Sequence, residues 1–168
     1  MKFDSNKLEI KTLDQSHLED IIKIQNHEKD NPHFQSESKQ GFSEHFKGRG
    51  FLLGAFIEGK LVAYSKFWFP GHESVMGEEI GLKEIELPSL AYFNGTVVLK
   101  EYRGHNIQKL IHQKAEQILK YQGFSYISCT VHPDNQASLT NLDQEGFKIF
   151  HEKKAHGDKR LVLFKKIS

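Results

Sequence analysis

The sequence predicts an α/β protein with a mixed, largely antiparallel sheet of about seven strands flanked by about four helices. Three observations carry that expectation. Apolar residues recur with strand period in some segments and with helix period in others. The helical segments fall between strands, while two pairs of neighbouring strands are joined by short connections, which makes part of the sheet antiparallel. Finally, 168 residues with 38% hydrophobic and 27% charged side chains suit one domain, here residues 1–168, with a buried core.

Leu8, Ile10 and Leu13 alternate as one face of a first strand. Ser16, with Glu19 following in capping-box spacing, predicts the start of a helix whose buried stripe is Leu18, Ile21, Ile22 and Ile24. The chain is polar from Asn31 to Gly50, where Phe42 and Phe46 are spaced as one face of a short second helix. Phe51–Ile57 and Leu61–Phe69 read as a hairpin around Glu58-Gly59, stopped by Pro70-Gly71. Residues 71–88 have no clear period and are rich in glutamate, and Leu90–Leu99 is the next strand. Ile107, Leu110, Ile111, Ala115, Ile118 and Leu119 form a long helical stripe that Gly123 ends. Phe124–Val131 is a strand, and Ala137, Leu139 and Leu142 mark a last helix closed by Gly146. Phe147–Phe150 and Leu161–Ile167 are expected as final strands joined by a charged loop through Gly157-Asp158.

Composition excludes several function classes. A net charge of +1 and a pI of 7.9 give no global field for polyanions, so no nucleic-acid partner is expected. The basic tail from Lys148 to Lys166 reads as a solvated edge guarding against strand pairing. No apolar run approaches the ~20 residues of a membrane span, and the charged N-terminus lacks the shape of a signal peptide. The single cysteine, Cys129, sits in a strand pattern and reads as a buried inert thiol in a reducing, cytoplasmic setting. The 10 histidines, including His105 and His112 a heptad apart and His151 and His156 flanking a loop, show no tight ligand spacing, so no metal is expected.

Chemistry concentrates between Val97 and Gln108, a strand, a tight loop and a helix start. The first N–H groups of a helix have no intrahelical partner and lie at its positive end, a geometry that suits anions. Gly104 permits close approach to the backbone, Arg103 adds charge, and Asn106 tolerates a left-handed turn. A plain strand–helix loop is the other reading of the same residues.

Val98–Gln108, with Leu110 and Ile111 behind, resembles motif A of the GNAT-type N-acyltransferase superfamily, Gln/Arg-x-x-Gly-x-Gly/Ala. The run from Val131 to Ser138, ending in Gly146-Phe147, is similar to its motif B. The expected strand order also matches that family from end to end. The resemblance implies an acyl-CoA co-substrate, most simply acetyl-CoA, and no metal. It implies that Arg103, Gly104, His105, Asn106, Ile107 and Gln108 wrap the pyrophosphate with backbone N–H groups. Val97, Val98 and Leu99 would pair with the pantetheine arm, Asn135 would bond that arm from the other side, and Ser138 would assist.

The sequence departs from the family at telling places. Two signature Gly/Ala positions read Asn106 and Gln108, and the tyrosine that serves many members as general acid reads Leu142. Strand positions where members place a Glu or His base read Tyr92 and Asn94, and Glu86 and Glu101 are the remaining weak candidates for a base. The implied function is N-acetyl transfer to a primary amine by direct attack in a ternary complex, with the thioester polarised by a backbone N–H near Val98 or Leu99. A catalytically silent acyl-CoA-binding module is the alternative. Glu73, Glu78, Glu79, Glu84 and Glu86 read either as a solvated loop or as a wall for a cationic amine acceptor. A monomer and a homodimer are both compatible with the sequence.

Overall fold

The computed structural model describes residues 2–155 and 157–168, so His156 lies outside the described residues. Strands β1 (Leu8–Thr12), β2 (Gly50–Ile57), β3 (Lys60–Trp68), β4 (Leu90–Val98), β5 (Tyr126–Val131), β6 (Lys148–Ala155) and β7 (Asp158–Lys166) form one sheet. Its order is β1-β2-β3-β4-β5-β7-β6. Pairing is antiparallel for β1 with β2, β2 with β3, β5 with β7 and β6 with β7. It is parallel for β4 with β5, in a register running from Leu90↔Tyr126 to Tyr92↔Ser128. The helices are α1 (Leu18–Asn26), α2 (Lys39–Glu44), α3 (Val75–Glu79), α4 (Ile107–Tyr121) and α5 (Gln136–Gln144), with short 3-10 turns between elements and a π-helical turn over His45–Arg49.

The expected α/β class and mixed, mainly antiparallel sheet are what the structure has, and local differences have local causes. Capping before α1 begins at Asp14 rather than Ser16. The Asp14 carboxylate accepts the Ser16 N–H, while His17 Nδ1 accepts the Asp14 N–H, so a 3-10 turn precedes the helix. Leu18, Ile21, Ile24 and Gln25 form the buried face of α1, and Ile22 is half-buried. Helix α3 lies in the stretch without period because it is too short to display one. Its stability comes from Ser74, whose Oγ accepts the Gly77 N–H at 3.0 Å. The charged residues between Phe150 and Leu161 are strand rather than loop: Glu152 and Lys159 pair across β6 and β7 at 3.7 Å.

The chain divides into two compact units, and β4 and α4 each contribute residues to both. One unit holds the chain up to Trp68 together with Gly95–Ala115. Its core includes Leu18, Ile21, Phe42, Leu52, Tyr64, Phe67 and Ile111, with the Phe42 and Tyr64 rings edge to face at 5.9 Å. The sheet alternation sorts β3 by face. Tyr64 shares a face with Phe42, while Ser65, on the opposite face, bonds Thr96 Oγ1 at 2.6 Å. Thr96 in turn lies 3.1 Å from Nε2 of the buried His112 on α4.

The other unit holds Phe69–Asn94 and Glu116–Ser168. Met76, Leu87, Leu90, Leu119, Ile127, Leu142, Phe147 and Leu163 are buried there. Cys129 is buried too, and burial pushes its thiol up, away from the reactive thiolate.

Ile111, fully buried on α4, and Tyr121, 94% exposed near its end, set a contrast on one helix. Ile111→Ala should lower unfolding free energy by about 2–5 kcal/mol. Tyr121→Ala should stay within about 0.5 kcal/mol of the parent, both read from urea denaturation midpoints at constant m.

Candidate functional site

Strand β4 ends at Val98, a 3-10 turn runs over Lys100–Tyr102, and α4 begins at Ile107. Two apolar anchors hold this short connection. Tyr102 is 6% exposed and Ile107 is 2% exposed, so the residues between them form an exposed loop on fixed ends. Gly104 has φ +80° and Asn106 has φ +60°. Both are left-handed, and Asn106 performs the turn for which the family motif uses glycine. A Cβ at Gly104 would meet nothing within 4 Å, so glycine is required there by the dihedral and not by crowding inside the protein.

The backbone donors sort into two groups. Tyr102 N–H goes to Leu99 O at 2.9 Å and Arg103 N–H to Lys100 O at 3.2 Å. Among the described residues, the N–H groups of Gly104, His105 and Asn106 have no such acceptor. The donors at the start of α4 then lack intrahelical partners by the geometry of any helix. Within the expected run, the N–H of Arg103 closes the 3-10 turn, so the donors without a backbone acceptor begin at Gly104. His105 is exposed and stacks on Phe3 at 4.3 Å, and Gln108 is half-buried on the first turn of α4.

The guanidinium of Arg103 is also engaged. Its Nε donates to Val98 O at 3.0 Å, and its Nη2 pairs with Glu28. Glu28 is 9% exposed and accepts a further bond from Asn31 Nδ2 at 2.9 Å. Glu28 is a residue that sequence reasoning missed. It lies 75 positions from Arg103, and no local pattern marks the pair.

Val97 and Leu99 are buried and Val98 is half-buried. Leu99 N–H is donated to Val62 O at 3.0 Å, which removes it from the two expected donors for a thioester carbonyl. Val98, next along the strand, directs its N–H and C=O toward the opposite edge.

The weak acid–base candidates have structural partners or solvent. Tyr92 Oη lies 2.8 Å from Ser74 Oγ and accepts the Met76 N–H at 3.1 Å, so it anchors the start of α3. Glu86 accepts the Lys83 N–H at 2.8 Å. Asn94 and Glu101 are exposed. Leu142, where the family pattern has a tyrosine acid, is 1% exposed in the core. In the other unit, Asn135 caps α5 by accepting the Ser138 N–H at 3.3 Å. The structure thus joins those two expected ligands to each other. His132 Nε2 lies 2.9 Å from Asp158 Oδ2, and its Nδ1 accepts the Asp134 N–H at 3.0 Å, which holds the turn ahead of Asn135.

The acidic stretch also divides. Glu79 binds Lys153 Nζ at 3.1 Å and lies 3.8 Å from His151, whereas Glu73, Glu78 and Glu84 are exposed. No group of three or more metal-ligating side chains occurs among the described residues, nor does a helix long and apolar enough to cross a membrane.

Residues 18–147 match the family model described as the acetyltransferase (GNAT) family. The chain belongs to the GNAT acetyltransferase family. No curated relative matches it by sequence. Solved structures agree on the fold. The ribosomal-protein-S18-alanine N-acetyltransferase from Escherichia coli superposes with a TM-score of 0.74 at 14% identity, over 96% of this chain and 94% of that one. YncA from Salmonella typhimurium, a putative acetyltransferase solved with its cofactor acetyl-CoA, gives 0.73 at 12% identity over 97% and 95%. PaiA N-acetyltransferase from Thermoplasma acidophilum, in complex with coenzyme A, gives 0.71 at 19% over 95% and 98%.

In this GNAT chain the left-handed turn makes position 106 a sensitive one. Asn106→Val should destabilise the protein by about 1–2 kcal/mol, because a β-branched side chain clashes at positive φ. Asn106→Gly should change stability by less than about 1 kcal/mol. Paired denaturation curves test both, and equal losses would show that the turn does not depend on the dihedral.

Proposed function

We propose that the chain is an acyl-CoA-dependent N-acyltransferase, most simply an acetyltransferase acting on a primary amine, with residues 1–168 working as one catalytic domain. The observation that carries this reading is the loop before α4. The Gly104, His105 and Asn106 N–H groups lack backbone acceptors among the described residues, on a chain of the GNAT family. These donors fit a diphosphate by chemistry, since an anion satisfies N–H groups that the fold leaves over. Ile107 and Gln108 extend the cradle into the first turn of α4, and open space beside Gly104 lets a ligand reach the backbone. Val97 and Val98 offer backbone groups to the pantetheine arm, and Asn135 and Ser138 stay in the reading as the family resemblance implies them. Two solved relatives in the same fold carry acetyl-CoA or coenzyme A, which supports the choice of ligand. The buried thiol of Cys129 is compatible with a reducing compartment, and we read the location as cytoplasmic.

When bound, the acyl-CoA supplies an activated thioester carbonyl with a thiolate leaving group. The chain supplies position and polarisation. Val98 N–H stabilises the oxygen that gains charge as the amine attacks, and the loop holds the ligand against translation. The C–N bond forms, the C–S bond breaks, and the amine proton passes to water. Tyr92 and Glu86 have structural partners, and the buried side chain of Leu142 has no proton to give. The same observation favours a second reading, a silent module that binds acyl-CoA without turnover, and release of free thiol with any amine separates the two.

Acetyl-CoA should raise the melting temperature, because a ligand of the native state adds about 2.7 kcal/mol when its free concentration is ~100 times Kd. No shift up to millimolar acetyl-CoA, together with no calorimetric heat, would overturn the assignment.

The acceptor we favour is a cationic amine met by Glu73, Glu78 and Glu84, which are exposed, and not by Glu79, which is held by Lys153. A panel of polyamines, aminoglycosides, amino acids and lysine peptides should show cationic acceptors with the highest kcat/KM. That lead should shrink as salt rises and in Glu78→Gln/Glu84→Gln. Best turnover with anionic amines would reduce the stretch to a solvated loop.

A further inference from the structure

Arg103 occupies the position from which a guanidinium is expected to reach a phosphate, yet its bonds point inward. Nε donates to Val98 O at 3.0 Å, Nη2 pairs with Glu28, and its backbone N–H closes the Lys100–Tyr102 turn. Glu28 is itself buried and held by Asn31, so the charge of Arg103 has a fixed partner. A planar guanidinium suits this task, because its donors diverge at set angles and can hold two acceptors at once.

The Val98–Leu99 peptide group is gripped from both sides. Its carbonyl accepts from Arg103 Nε, and its N–H is donated to Val62 O, each at 3.0 Å. Neither end can turn without breaking a bond. Val98 N–H lies on the same strand edge as the carbonyl that Arg103 holds, one peptide group back along β4.

Resting on the acyl-CoA reading above, we infer that Arg103 is a positioning residue for the thioester carbonyl, acting through the Val98 backbone, and not a ligand of the diphosphate. Glu28 completes the device by keeping the guanidinium on the strand. Donors that are fixed before the reaction stabilise developing charge more effectively than donors that must reorient, so the effect belongs to the polarised carbonyl more than to ground-state affinity.

The test needs no knowledge of the acceptor amine. Acetyl-CoA labelled with ¹³C at the thioester carbonyl is bound to the parent protein, Arg103→Gln, Arg103→Lys and Glu28→Gln, and the carbonyl stretch is read by isotope-edited infrared difference spectroscopy. Calorimetry supplies Kd for coenzyme A and for acetyl-pantetheine, which lacks the diphosphate. The parent protein should lower the stretch relative to free acetyl-CoA. Arg103→Gln should lose at least about half of that lowering while Kd for coenzyme A changes by less than about threefold. Arg103→Lys should fail to rescue it, since one ammonium cannot hold Val98 O and Glu28 in the guanidinium geometry. Glu28→Gln should lose part of the lowering without touching Arg103, which covers the case of an Arg103 variant that does not fold. An unchanged stretch in the variants, with coenzyme A bound about tenfold or more weakly and acetyl-pantetheine unaffected, would make Arg103 a diphosphate ligand and overturn the inference. Failure of the parent protein to bind either probe would instead remove the acyl-CoA reading, and this inference with it.

Discussion

A chain that leaves a strand at Val98 and starts a helix at Ile107 must turn while the first N–H groups of that helix remain without intrahelical acceptors. Most of what distinguishes this loop follows from that constraint. The turn is made by left-handed dihedrals at Gly104 and Asn106, and the ends are pinned by buried Tyr102 and Ile107. The side-chain charge that would otherwise sit loose beside those donors is tied down to Glu28 and Val98. The exposed residues that remain carry backbone N–H groups without a backbone acceptor, and these need no side-chain rearrangement to meet an anion.

Polar side chains elsewhere serve the fold. Tyr92 bonds Ser74 and the Met76 N–H, Ser74 caps α3, and Asn135 caps α5. Glu79 holds Lys153, and His132 holds Asp158 and the turn that follows β5. Short helices leave a large share of their backbone groups without internal partners, so each requires such a cap. Tyr92 and Asn135 each stabilise a helix terminus in this way. In the acyl-transfer reading proposed above, the chemistry rests on backbone donors and positioning, a division consistent with the departures at Leu142, Tyr92 and Asn94.

Buried charge in the unit that holds the loop is treated the same way. Glu28 faces Arg103, and Lys66, 6% exposed, lies 3.8 Å from Glu37. Burial pulls Lys66 downward against the raising effect of Glu37. Nearby, His45 donates from Nδ1 to Gly41 O, and burial holds its imidazole below the usual range. Such groups are costly to desolvate alone; Glu28 and Lys66 each meet a partner from a distant part of the sequence, whereas His45 bonds one turn back on its own segment.

The sequence by itself determined the α/β class, the strand order along the chain, the long helix and the loop before it, because these depend on apolar period and on local turn chemistry. Asn106 belongs to this set, since its left-handed turn is a local property of a short amide side chain. The capping at Asp14 ahead of α1 and the extension of β6 and β7 were less legible, because competing caps and charged strands carry local signals like those of loops. Only the tertiary structure decided that Glu28 would meet Arg103, that Val62 would take the Leu99 N–H, and that Tyr92 would anchor Ser74. Those partners lie far apart along the chain. Their meeting depends on how strands and helices pack, and neither hydrophobic period nor motif spacing encodes which polar atoms will be left for one another.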